Sequence, residues 1–126
     1  MTHNEISAII VDTAYHVHRA LGPGLLESVY RQVMTYELRQ RGLEVQTEVP
    51  IPVVWKEVRL EVGFRADLIV AGLIIVEIKS VESIAPVFKK QLLTYLRLAD
   101  KRLGLLINFG AELIKNGIVR TANGLE

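Results

Sequence analysis

Asp67, Glu77, Lys79 and Glu27 are the side chains whose types and spacing point to chemistry. Asp67 lies inside Phe64-Arg65-Ala66-Asp67-Leu68-Ile69-Val70, and Glu77 and Lys79 end the apolar stretch Leu73-Ile74-Ile75-Val76-Glu77-Ile78-Lys79. Strand residues two apart project from one face, so Glu77 and Lys79 stand side by side. A charge withdrawn from water costs several kcal/mol unless it is paired or bound to an ion. Two readings account for them: a Glu–Lys pair solvating a strand end, or carboxylates gathered around a divalent cation with a lysine beside them. Glu27 shares a helical stripe with Tyr30, Met34 and Leu38. It reads either as a first-turn acid serving the positive end of a helix or as a third carboxylate aimed at the same ion. The chain has no cysteine, which excludes disulfides, thiol catalysis and Cys-based zinc sites. Oxygen ligands favour a hard ion, Mg2+ or Mn2+.

The connection between Asp67 and Glu77 decides whether they meet. A two-residue hairpin at Ala71-Gly72 would pair Asp67 with Val76 and send the carboxylates to opposite faces, because paired residues share a face. They meet only through a three-residue turn, Ala71 to Leu73, or a bulge near Asp67. One of the two is expected. Downstream, Gln91 and Tyr95 share a helical face with Phe88, expected to point inward, where an amide and a phenol hydrogen-bond a nucleotide, a phosphate or simply each other. Arg19, Arg31, Arg39, Lys89, Lys90, Arg97 and Arg102 offer either a phosphate track or ordinary solvation. His16 falls on a polar face with Asp12, whereas His18 falls on a different face, just before a glycine turn.

The elements that must position these groups follow from periodicity. Apolar residues at helical spacing predict helices over residues 4–21 and 25–41, with Gly22-Pro23-Gly24 between them and Gly42 as a stop. Residues 44–55 alternate, putting Val45, Thr47, Val49, Ile51, Val53 and Trp55 on one side. Pro50 and Pro52 make this an edge strand. Strands over 58–62, 65–70 and 73–79 come next, the last apolar on both faces and hence mid-sheet. Pro86 opens a helix to about residue 100. Residues 103–109 read as a strand parallel to 73–79, reached by a helical crossover. A helical turn over 111–115 and a strand over 118–121 complete an α-α-β-β-β-β-α-β order, an α/β fold with a mixed sheet.

Length and composition bound the rest. The 126 residues suit one domain, half of them apolar and 23% charged, which excludes disorder and collagen-like fibres. A net charge of +1 speaks against a polybasic nucleic-acid glue. Residues 68–76 form the longest apolar stretch, broken by one glycine, far short of the roughly 20 residues of a spanning helix. With no signal-peptide pattern at the start, a soluble cytoplasmic domain is expected.

Taken together the residues resemble the PD-(D/E)XK nuclease superfamily, and within it the small GxxExxY proteins. The naming motif stands as Gly24-Leu25-Leu26-Glu27-Ser28-Val29-Tyr30, followed by Phe64-Arg65-Ala66-Asp67, Glu77-Ile78-Lys79, Gln91-Leu92-Leu93-Thr94-Tyr95-Leu96 and Leu103-Gly104-Leu105-Leu106-Ile107-Asn108-Phe109-Gly110. The resemblance implies a restriction-endonuclease-like core and a nuclease acting on DNA more than RNA. It implies that Asp67 and Glu77 bind the catalytic divalent ion, with Glu27 as the acid of the first core helix. Lys79 would orient the attacking water or stabilise charge on the scissile phosphate, and Gln91 and Tyr95 would contact substrate. Many relatives carry a His shortly before the glutamine, where this chain has Val87-Phe88. The alternative is a catalytically inactive nucleic-acid- or protein-binding module that keeps the fold. A homodimer is a further expectation, with the apolar residues of the 53–55 edge as its interface unless Trp55 packs on its own core.

Overall fold

The structure, a computed structural model, describes residues 1–125. Helix α1 (His3–Leu21) starts on a reciprocal cap: Glu5 N–H donates to Thr2 Oγ1 (3.1 Å) and Thr2 N–H donates to Glu5 Oε1 (2.9 Å). Helix α2 (Glu27–Gln40) begins two residues later than its periodicity predicts, because Leu25 and Leu26 stay outside the helix and exposed. It ends as expected at Gly42, whose φ of 86° permits the Schellman pair Leu43 N–H to Leu38 O and Gly42 N–H to Arg39 O. Helix α3 (Pro86–Ala99) opens on Pro86, whose missing N–H costs nothing in a first turn.

Five strands form one mixed sheet in the order β1 (Val45–Trp55), β2 (Val58–Val70), β3 (Ile74–Lys79), β4 (Leu103–Asn108), β5 (Ile118–Ala122). Among the described residues only β3 and β4 pair in parallel, joined through α3. The proline-bearing β1 lies at the edge and the apolar β3 at the centre, as read from sequence. A 3-10 turn (Ile114–Gly117) precedes β5. The sheet separates two apolar clusters. Ile6, Ile10, Tyr30, Met34, Leu68, Val76 and Ile107 fill the α1/α2 side, and Ile51, Ala66, Ile69, Ile75, Leu92, Leu96 and Leu106 fill the α3 side.

Two expectations need correction. Residues 58–62 and 65–70 are one continuous strand, so three strands rather than four precede α3. Gly63 is no break: a Cβ there would collide with the Val53 side chain, so the glycine serves close approach within the β1–β2 ribbon. Nor does β1 keep one face. Val45 joins the α1/α2 cluster while Val49 and Ile51 join or pack against the α3 cluster. The change falls at Glu48, whose φ is 48°, and is mirrored on β2 between Ala66 and Leu68, around Asp67. Of the two alternatives left open for Trp55, the exposed edge holds: it is 67% exposed beside Val54, Val58, Leu60 and Val62, all at least half exposed.

Candidate active site

The β2–β3 connection is a three-residue turn, one of the two expected solutions. Leu68 pairs with Val76, Ile69 with Ile75 and Val70 with Ile74, leaving Ala71, Gly72 and Leu73 to turn the chain. Ala71 adopts the left-handed conformation with φ 55°, at a cost of roughly 1–2 kcal/mol for an L-residue. Two contacts hold it there: Ala71 N–H donates to Glu44 O (2.7 Å) and the Lys101 ammonium donates to Gly72 O (2.7 Å). Extended one residue past its last pair, this register sets Asp67 opposite Glu77, at the point where β2 changes face.

Their surroundings differ. Asp67 accepts a hydrogen bond from Ile78 N–H at Oδ2 (2.8 Å), and Arg31 Nη1 of α2 lies 3.7 Å from its Oδ1. Glu77 is only 8% exposed, and its carboxyl meets both the carboxyl and the backbone of Asp67. Among the described residues, Glu77 Oε1 is the one buried side-chain oxygen or nitrogen without a hydrogen-bond partner. Burial first, then the Asp67 charge, push the Glu77 carboxyl up to about 9, against a smaller opposing pull from Lys79. Two carboxylates in contact, one with an orphaned oxygen, are the donor chemistry of a hard divalent cation. The pair therefore fits such an ion.

Lys79 does not neutralise Glu77 by an ion pair; its Nζ sits 4.4 Å from the Phe88 ring centroid, a cation–π contact. The aromatic residue standing near the expected histidine thus holds the lysine. Tyr95 is half-buried and stacked on Phe64, with centroids 3.9 Å apart and planes 8° from parallel. Burial, then the charges of Glu77 and Asp67, raise its hydroxyl pKa. Gln91 is exposed rather than inward-facing, because Leu92 and Leu96 take the inner line of α3. Glu27 is exposed at the first turn of α2, where it lines a cavity of about 570 Å3 with Leu26, Ser80 and Glu82. Among the described residues no group of three or more His, Asp or Glu side chains is arranged to hold a metal ion. The structure thus joins Asp67 to Glu77 and leaves Glu27 apart from them.

A family model described as the PD-(D/E)XK nuclease superfamily matches residues 4–121. The chain belongs to that superfamily. Its five-stranded mixed sheet flanked by helices is the restriction-endonuclease-like arrangement of PD-(D/E)XK proteins. Nucleases of the superfamily generally use divalent metals and act on nucleic acid. No curated protein and no solved structure matches the chain significantly. Among the described residues no helix is long and apolar enough to cross a membrane.

Other motif residues of the PD-(D/E)XK chain serve the frame. Tyr30 is fully buried, stacks on Phe109 (4.5 Å, 6°), donates from its hydroxyl to Gly22 O (2.5 Å) and accepts from Leu25 N–H (3.2 Å). His18 is buried with Nε2 2.8 Å from Ala111 O, and His16 is exposed 3.4 Å from Asp12. Asn108, which sequence reasoning misses, fastens the segment leaving the lysine-bearing strand. Its Oδ1 accepts from Val81 N–H and Gly110 N–H (both 3.0 Å), and its Nδ2 donates to Val81 O (2.9 Å). An amide ending an otherwise apolar strand is its signal. Arg31 is legible only as one of many basic residues, since nothing in the sequence links it to Asp67.

Proposed function

We propose that this protein is a metal-dependent nuclease of the GxxExxY type that hydrolyses phosphodiester bonds, in DNA rather than RNA. The observation that carries the reading is the buried Glu77 carboxyl held against Asp67 with an unpartnered oxygen. Burying such a pair is costly, and what offsets it falls mainly on Asp67, from Ile78 N–H at 2.8 Å and Arg31 at 3.7 Å. Asp67 and Glu77 would hold Mg2+ or Mn2+, with Glu27 as the further acid on α2. When bound, the ion supplies Lewis-acid stabilisation of the charge developing on the phosphate oxygens. Lys79, steadied by Phe88, orients the attacking water or counters phosphate charge, as a preplaced cation does best in a site shielded from solvent. Tyr95, fixed by its stack on Phe64, and Gln91 on the exposed side of α3 contact the substrate. A cytoplasmic setting and a homodimer through the apolar ribbon of residues 53–62 belong to the same proposal.

Cleavage of single- and double-stranded DNA and RNA with Mg2+ or Mn2+ tests it. Wild type is expected to cleave, and Asp67→Ala and Lys79→Ala to lose on the order of 10²–10⁴ in rate. Activity that survives both substitutions removes this site from consideration. No cleavage of any substrate, together with no metal binding by calorimetry, favours the inactive binding module.

A further inference from the structure

Beside the carboxyl pair lies a groove of about 520 Å3 between α2 and β1, lined by Arg31, Gln32, Tyr36, Arg39, Gln40 and Glu48 among others. We propose that it binds a single-stranded segment of nucleic acid and leads it towards Asp67 and Glu77. The direction of the strand rests on the nuclease reading; binding in the groove does not.

Position is the first support. Arg31 lines the groove and its Nη1 lies 3.7 Å from Asp67 Oδ1, so the groove meets the carboxyl pair at Asp67. The helix supplies the second. Gln32, Tyr36 and Gln40 recur every four residues, and Arg31 and Arg39 recur on the adjoining line, so amides, an aromatic ring and cations share one wall. Arg31 and Arg39 are eight residues apart, about 12 Å along the axis, a spacing for separate phosphates of one strand. Arg39 is pinned by donating from Nη2 to Val45 O (2.7 Å), which leaves its other donors for a ligand. The acid of the groove, Glu48 on β1, is faced by Arg31 Nη2 at 3.6 Å, which blunts its repulsion of phosphate.

Tyr36 identifies the ligand. It is 61% exposed, and an exposed aromatic ring between cations is the platform on which an unpaired base stacks. Bases in a duplex keep their faces covered and cannot use it. The net charge of +1 also gives little non-specific hold on duplex phosphates. Both facts favour a single strand.

Fluorescence anisotropy on the full chain tests the assignment, using labelled single-stranded DNA and RNA oligonucleotides and the matching duplex in EDTA across a salt series. Tyr36→Ala is expected to weaken single-strand binding about tenfold, and Tyr36→Phe to stay within about twofold of wild type because the ring remains. Arg39→Gln is expected to weaken binding and to flatten the salt dependence by about 0.7 in log–log slope. Circular dichroism melts confirm that each variant folds. The assignment is overturned if wild type binds no strand at low salt, if Tyr36→Ala binds like wild type, or if duplex binds as tightly as single strand. A cleavage assay separates the two readings. Oligonucleotide binding that needs Tyr36 without any cleavage keeps the groove and sinks the nuclease. Asp67-dependent cleavage that ignores Tyr36 and Arg39 does the reverse.

Discussion

Glu77 and Asn108 are two buried polar side chains on neighbouring parallel strands, and the fold treats them in opposite ways. Asn108 is 1% exposed, and its amide is used on both sides, accepting two backbone N–H groups and donating to a carbonyl. Glu77 is 8% exposed, faces another acid and keeps an oxygen with no partner. Satisfied polar groups of the first kind hold a structure in one shape. An unsatisfied acid of the second kind weakens the fold that carries it. The contrast separates frame from chemistry better than burial does, since both residues are buried.

Substituting Glu77 should show the larger effect. Its folded pKa of about 9 lies above the ordinary carboxyl value of 4.5, so the folded state keeps a proton that the unfolded state gives up. Stability is therefore full below about pH 4.5 and is lost as pH rises towards 9. Glu77→Gln removes that loss. In EDTA, urea unfolding should find the variant increasingly more stable than wild type between pH 5 and 9, by several kcal/mol at the upper end. A variant that merely tracks wild type across this range would deny Glu77 its buried, protonated state. The same variant should lose divalent-ion binding by calorimetry.

Asn108→Ala should go the other way. It strands the part-buried N–H and C=O of Val81 and the N–H of Gly110, a cost of about 1–3 kcal/mol, read as a lower urea midpoint. Ion binding by the remaining folded protein should persist, which marks Asn108 as frame. Phe88 offers the smallest effect. Cation–π contacts contribute about 0.5–2 kcal/mol, so Phe88→Leu should cut the Lys79-dependent rate several-fold, while Phe88→Tyr should restore most of it. Equal rates in the leucine and tyrosine variants would mean that Phe88 only fills space.

The acid half of this contrast is legible in the sequence. Asp67, Glu77 and Lys79 stand out because charges interrupt apolar strands, and side-chain parity narrows their connection to two solutions, of which the register shows the three-residue turn. The edge position of β1 and the central position of β3 follow from prolines and from apolarity on both faces. What escapes is long-range or local to the backbone. Gly63 reads as a break because a sequence does not show that Val53 lies against it. The face change at Glu48 escapes because a left-handed glutamate has no composition signal. Gln91 reads as inward because its helical line borders Phe88 and Tyr95, yet the leucines beside it occupy the interior. Arg31 reads as a solvated arginine until α2 is packed against the sheet, whereupon it meets Asp67.

Tyr30 carries a consequence for sorting related chains. Its ring lies on Phe109 and its hydroxyl clasps Gly22 and Leu25, so it braces the bend ahead of α2 and touches no carboxylate of the pair. A chain with phenylalanine there keeps the stack, loses the clasp and remains a candidate enzyme. A chain with glutamine in place of Glu77 keeps every brace and forfeits the chemistry. The most recognisable letters of the motif thus report that the scaffold is intact, and a screen for working members should be scored on the less conspicuous acid of the central strand.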